Sequence, residues 1–207
     1  MKIMVAVPCM DMMHSDFVIA LTGLQHDGNV AFVYSKSSLV YDSRNGLAKK
    51  AIDGGFDRVL WLDSDMWFSP DLLQKLSADI DSGCDIVSGL YVTRKPPFNP
   101  VIYDDCGLDV NEANGTATPR LHPFIGYPQN AVFEVEACGF GGVMVKTSIL
   151  AEVIKKYGLP FSPVMGFGED ISFCLRVKEL GKKIFCDSRI KMGHVGYRVY
   201  TEDDLHE

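Results

Sequence analysis

The chain reads as a single α/β domain with a mostly parallel central sheet flanked by helices, and three observations carry that reading. Short apolar runs alternate with helix-period segments from Ile3 to Tyr91 in the order β-α-β-α-β-α-β, the pattern made by parallel strands joined through crossover helices. At 207 residues the chain can bury a sizeable core as one domain over 1–207. Its 47% hydrophobic and 23% charged residues are ordinary for a globular protein.

Ile3 to Val7 is an apolar run closed by Pro8, the signature of a buried first strand. The next residues, Cys9-Met10-Asp11, contain no glycine. A dinucleotide fold would place G-x-G-x-x-G there, which argues against that cofactor. Ser15 or Asp16 caps a helix to about Leu24, with Phe17, Ala20, Leu21 and Leu24 on one face. Val30 to Tyr34 is the second strand, and a Ser-rich loop follows it. Asp42 or Ser43 opens a helix through Ala51, closed by Gly54-Gly55, with Arg44 and Asn45 in its first turn. A cation is unfavourable beside the positive end of a helix dipole. Arg44 therefore either faces an anionic partner or is a solvated surface residue.

The third strand, Arg58 to Asp63, ends in the D-x-D of Asp63 and Asp65. On extended backbone these two side chains project together and Ser64 turns away. Two anions that close repel each other unless a cation or hydrogen-bond donors share the site. Oxygen ligands suit Mg²⁺ or Mn²⁺, which also bind substrate phosphates. An acidic turn capping the next helix is the plainer reading of the same residues.

Ser69-Pro70 starts a helix carrying Leu72, Leu73, Leu76 and Ile80, and Asp85 to Tyr91 is the fourth strand. Lys95-Pro96-Pro97 and Pro100 then break the regularity before a strand-like Val101-Ile102-Tyr103. Residues 107–129 are rich in Asn, Gly, Pro and Thr with no apolar period, which predicts a long flexible loop. Val132 to Val135 is another strand. The glycines at 139, 141 and 142 either let backbone approach a ligand or permit tight packing. Ser148 to Tyr157 and Glu169 to Leu180 are helices, Ile184 to Cys186 is a final strand, and His194 follows it. The charged tail 201–207 is expected to fray.

The net charge of −7 and the lack of a basic stripe exclude a duplex nucleic-acid partner. The six cysteines are scattered without a C-x-x-C pair, the usage of reduced thiols in a cytoplasmic protein. Met1-Lys2-Ile3 runs straight into a strand rather than a signal peptide, and no apolar stretch approaches bilayer length.

Asp63/Asp65, Glu169/Asp170 and His194 each fall at an element boundary, where open α/β sheets bind their ligands. Together with Val5-Ala6-Val7-Pro8, Arg44-Asn45 and Gly168 before Glu169, this ordered set resembles the GT-A fold glycosyltransferases, particularly small family 2-like members that use nucleotide sugars. The resemblance covers nearly the whole chain; one departure is Met10-Asp11, where many members carry an aromatic residue and an asparagine. It implies a single GT-A domain that moves a sugar from a nucleotide sugar, with UDP as the nucleotide, to a hydroxyl of a glycan, protein or lipid-linked acceptor. Asp65 would bind Mn²⁺ or Mg²⁺, Asp63 would contact ribose or support the metal, and His194 would close the coordination shell.

The same resemblance sets Pro8, Asp11 and Arg44 along the nucleotide end, with Ser64 and Gly141 also against substrate and Glu169 holding the acceptor. Asp170 would be the general base of an inverting transfer, a retaining course staying open. Helix N-terminal placement alone would lower its pKa. Trp61, Trp67, Tyr91 and Phe140 offer rings to a base or sugar, core packing being favoured for Trp61. The 107–129 segment would serve as an acceptor-side flap. The rival readings are a non-catalytic nucleotide-sugar-binding module and a sugar-phosphate nucleotidyltransferase, whose Gly-rich phosphate loop is missing from Pro8 to Met13. A nuclease is disfavoured by the acidic charge. The small size leaves little room for acceptor architecture, which suggests one module of a longer protein or a homo-oligomer.

Overall fold

Strand β1 (Ile3–Cys9) is buried from Ile3 through Pro8, so it can only be an interior strand with both faces covered. A computed structural model, describing residues 1–196 and 199–206, places it there. Helix α1 (Ser15–Thr22), strand β2 (Val30–Lys36), helix α2 (Val40–Asp53) and strand β3 (Arg58–Leu62) follow. Both β2 and β3 pair parallel with β1. Next come β4 (Met66–Trp67), α3 (Leu72–Asp81), β5 (Ile86–Leu90), β6 (Ile102–Asn111), β7 (Thr116–Pro123), β8 (Val132–Val135), β9 (Ala137–Cys138) and β10 (Gly142–Lys146). The chain continues through α4 (Thr147–Tyr157), α5 (Glu169–Glu179), β11 (Ile184–Lys191), β12 (Gly193–Val195), β13 (Val199–Tyr200) and a 3₁₀ turn at Glu202–His206.

The main sheet has seven strands in the order β2-β1-β3-β10-β5-β11-β8. Five run in one direction, while β10 and β8 run against their neighbours. The reversal of β10 follows from its route. After β5 the chain makes its excursion through β6 to β9 without a crossover helix, and re-enters the sheet between β3 and β5 from the edge where those strands end. That insertion brings Gly141 beside the end of β3, where the Asp63 N–H donates to the Gly141 carbonyl at 3.3 Å.

Both sheet faces carry a core. One packs Phe17, Leu21, Leu72, Leu76 and Ile80 over Val5, Leu60 and Met144, burying the faces of α1 and α3 that the helical period marks. The other packs Leu47, Leu150, Val153 and Val177 over Met4, Val59 and Val145. Within the second, Trp61, Phe140, Phe161 and Phe173 form one ring cluster, with Phe161 4.9 Å from Trp61 and 4.8 Å from Phe173 between centroids. Trp61 and Phe140 are thus core side chains, 0% and 1% exposed.

Two expectations about irregular segments are corrected. Residues 107–129 do not form a structureless loop: β6 and β7 pair as an antiparallel hairpin through Asn111↔Thr116, in a three-stranded sheet with β9. Most of its residues beyond Leu108 are exposed, so neither face needs the apolar alternation that marks a half-buried strand. The backbone ladder does the pairing, and cross-strand charges flank it, with Arg120 bound to Asp105 and Asp109, and His122 2.6 Å from Asp104. The tail is the second correction. Thr201 N–H donates to Asp204 Oδ2 at 2.8 Å, and Glu202 binds Lys191 and Tyr127, so 202–206 folds as a turn against β11. Residue 207 lies outside the described residues.

The ring cluster predicts its own cost. Phe161→Ala should lower unfolding free energy by about 3–5 kcal/mol, read by urea denaturation of the parent and variant.

Candidate functional site

The D-x-D is held as a rigid turn rather than as the tip of an extended strand. Strand β3 stops at Leu62, and Met66 N–H closes onto the Asp63 carbonyl at 3.2 Å. Each of the three backbones is tied to a different element: Asp63 N–H to the Gly141 carbonyl, the Ser64 carbonyl to His14 N–H at 3.2 Å, and the Asp65 carbonyl to Val195 N–H at 2.7 Å. The period-two expectation therefore fails here. Ser64 does not turn away but lines the cleft, and the two carboxylates address different cations.

Beside this turn lies an open cleft of about 460 Å³, bounded by Pro8, Ser38, Arg44, Asp63, Asp65 and Glu169. A second hollow of about 560 Å³ shares Ser64 and Asp65 with it and is walled by Met10 to Ser15. Asp11 belongs to this second hollow, exposed and paired with Lys36 at 2.6 Å. Trp67 is 43% exposed, while Tyr91 is buried edge-on against His194 with ring centroids 5.7 Å apart.

Arg44 is not a solvated surface residue. Helix α2 begins at Val40, earlier than the polar residues suggest, so Arg44 lies inside it and turns inward with 2% exposure. Its Nη2 donates to Asp63 Oδ1 at 2.6 Å and its Nε to Glu169 Oε1 at 3.2 Å. The guanidinium carbon stands 5.5 to 6.0 Å from the ring centres of Phe140, Trp61 and Phe161. Burial disfavours its charge, but Asp63, Glu169 and Asp170 together hold its pKa above the usual arginine value. Nη1 is buried and has no partner among the described residues. At Asp63 burial wins over Arg44, and with Asp65 and Glu169 nearby the carboxyl sits above its ordinary pKa.

Asp65 and His194 come together across the second edge of the site, with Oδ2 and Nε2 3.4 Å apart. His194 Nδ1 lies 3.0 Å from the Val92 carbonyl. A carbonyl only accepts, so Nδ1 carries a proton and Nε2 is the ring nitrogen turned to Asp65. With Nε2 unprotonated, it and Asp65 Oδ2 would both be available to a shared cation at this separation. Ligands each at about 2.1 Å from an ion stand about 3.0–3.5 Å apart. Burial would raise the Asp65 carboxyl, but His194 and the Arg94 guanidinium hold it below its usual range. Asp63, by contrast, has one oxygen committed to Arg44. No group of three His, Cys, Asp or Glu side chains gathers around a common point among the described residues. A metal here would have Asp65 and His194 as its protein donors, with the rest supplied by substrate oxygens and water.

Helix α5 opens at Glu169, capped by Gly168, and brings Asp170 next to Glu169 and near Arg44 and Asp63. The dipole argument predicts a lowered pKa for Asp170, and the structure reverses it. Burial first, then the Glu169 charge, push the carboxyl up to about 6 despite the Ile171 N–H and Arg44. Gly141 is packed rather than open: a Cβ there would meet Met66 Sδ at 2.9 Å and the Tyr91 ring at 3.0 Å, and its N–H donates to Tyr91 Oη. Sequence reasoning missed Arg94, whose Nη1 is 3.0 Å from Asp65 Oδ2. It stands just before the prolines that end the regular pattern, and only the folded chain brings it back to the D-x-D.

No protein-family model and no curated protein matches the sequence. Solved structures do. The chain superposes on A197 from STIV with a TM-score of 0.70 at 19% identity, covering 99% of this chain and 92% of that one. The fold is GT-A-like. The structure of GalNAc-T7 with UDP, GalNAc and Mn²⁺ matches with a TM-score of 0.62 at 10% identity, over 94% of this chain and 44% of that one. S. aureus TarS 1-349 matches at 0.55 and 15% identity, over 91% and 58%. The chain thus spans about half the length of these last two. At such identities the likeness is one of backbone architecture. No helix among the described residues is long and apolar enough to cross a membrane.

Because Arg44 is the shared partner of two partly buried carboxylates, Arg44→Met should destabilise the fold by about 3–5 kcal/mol at pH 8. The deficit should shrink as pH falls towards 5 and the orphaned acids take up protons. Urea melts at the two pH values read it.

Proposed function

We propose that the chain is a metal-dependent glycosyltransferase that takes a sugar from a UDP-sugar and gives it to an acceptor hydroxyl with inversion. The observation that carries the reading is the facing pair of Asp65 and His194, 3.4 Å apart beside an open cleft on a GT-A-like sheet. When bound there, Mn²⁺ or Mg²⁺ would neutralise the diphosphate and stabilise the departing nucleoside diphosphate.

The rest falls to the chain's own side chains. Pro8, Ser64 and Asp63 line the cleft that would receive the nucleotide, with Asp11 in the adjoining hollow. Arg44 borders the same cleft and holds Asp63 and Glu169 in fixed positions. Gly141 serves the same end through its backbone contact with Asp63. Asp170 takes the proton of the acceptor hydroxyl as that oxygen bonds to the anomeric carbon and the bond to the diphosphate breaks. A carboxyl with a pKa of about 6 suits this role, being ionised at neutral pH yet more basic than a free aspartate. Glu169 borders the cleft between Arg44 and Asp170 and is placed to hold the acceptor. The acceptor would be a hydroxyl on a glycan, protein or lipid-linked sugar.

The test is UDP release from a panel of UDP-sugars with Mn²⁺ and sugar acceptors. Release should rise with pH through about 6 and level off, and Asp170→Asn should cut it about 10²–10⁴-fold while keeping UDP affinity. The same variant should be more stable. The folded pKa lies above the unfolded one, so ionised Asp170 is a cost that is full above about 6 and gone below about 4. Asp170→Asn should therefore gain on the order of 1–2 kcal/mol at pH 8, the gain fading between those pH values. Unchanged release in Asp170→Asn would overturn the assignment of the base.

A further inference from the structure

Arg94 stands on a short stretch that serves the cleft twice. The Val92 carbonyl fixes His194 through Nδ1, and two residues later Arg94 Nη1 reaches Asp65 Oδ2 at 3.0 Å and the Val195 carbonyl at 3.2 Å. The backbone on either side is pinned. Val92 bridges to Pro100, Thr93 N–H donates to the Asn99 carbonyl at 2.9 Å, and Phe98 N–H closes onto the Lys95 carbonyl at 2.9 Å. The side chain is not pinned in that way, being 43% exposed. Arg94 thus combines a fixed root with a guanidinium that can swing.

The charges around it are unbalanced. Asp63, Asp65, Glu169 and Asp170 gather at this edge, and Arg44 is already committed to two of them beneath the surface. Arg94 therefore supplies, among the described residues at the site, the exposed guanidinium within reach of an incoming anion. In this structure it holds the same Asp65 oxygen that faces His194. A divalent cation on that oxygen and a guanidinium 3 Å from it would repel each other strongly. The two are competitors for Oδ2, not partners. Once displaced, a guanidinium rooted beside Val92 is left next to any diphosphate held on the cation, an anion its planar fork matches well.

We propose that Arg94 is an exchange residue: it neutralises Asp65 while the cleft is empty, gives up that oxygen to the divalent cation, and then binds the diphosphate of the nucleotide. The inference rests on the cation-dependent nucleotide site described above. It adds an order of events, because the cation must displace Arg94 before the guanidinium becomes available to the diphosphate.

The test separates the two roles of Arg94 by sign. Mn²⁺ affinity of the nucleotide-free protein is measured by electron paramagnetic resonance of the free ion, and UDP affinity at saturating Mn²⁺ by calorimetry. Removing the competitor in Arg94→Gln should tighten Mn²⁺ binding about tenfold and weaken UDP binding about tenfold. Arg94→Lys should fall between, retaining a charge but not the fork. An unchanged thermal midpoint in both variants would verify that the fold is intact. Mn²⁺ affinity that is unchanged or weaker in Arg94→Gln, with the parent binding normally, overturns the exchange. Loss of UDP affinity alone would make Arg94 a simple phosphate ligand, and that also overturns it. Failure of the parent itself to bind Mn²⁺ or UDP would instead remove the nucleotide site, and the exchange with it.

Discussion

A buried guanidinium is costly in any fold, and this structure is arranged around one. Arg44 leaves water almost completely and is compensated by two carboxylates and by the faces of three aromatic rings. Its partners come from opposite ends of the chain, Asp63 after β3 and Glu169 at the start of α5. The ion pairs therefore tie the first part of the sheet to the last helix. Removing Arg44 would leave both carboxylates without their counterpart. This accounts for the placement of Asp170 as well, since α5 is held against the cleft by the residue that precedes it.

The other side of the cleft is fixed by hydrogen bonds through backbone. Gly141, His14 and Val195 each hold one residue of the Asp63-Ser64-Asp65 turn, and the Val92 carbonyl orients His194. Orienting groups of this kind set which ring nitrogen faces the site. The cleft thus combines backbone-fixed walls with charged, partly exposed side chains, in a chain whose net charge is −7.

Most of the sheet was legible because burial imposes a pattern. The runs at Ile3–Val7, Arg58–Leu62 and Ile86–Leu90 are buried strands, and their apolar sequences say so. The hairpin β6–β7 was not legible, since it is exposed over most of its length and only its base, at Tyr103, Cys106, Leu108 and Leu121, packs on the core. The same limit applied to the site. Asp65 and His194 could be singled out by residue type and position, and the fold brings them within 3.4 Å. Local rules left Arg44 open between an anionic partner and solvent, where the fold gives it two carboxylates; they put the Asp170 pKa too low and were silent on the convergence of Arg94 on Asp65. A dipole argument sees one helix end, whereas Asp170 is raised first by burial, which the fold as a whole decides, and then by the adjacent Glu169 charge.

The central claim is that the Asp65–His194 edge makes nucleotide binding depend on a divalent cation. Calorimetric titration of UDP into the protein, with Mn²⁺ and then with a chelator, tests it most directly. The account predicts binding that requires Mn²⁺ and weakens at least about tenfold in His194→Ala. Equal UDP affinity with Mn²⁺ and with chelator, or an undiminished affinity in His194→Ala, would contradict it.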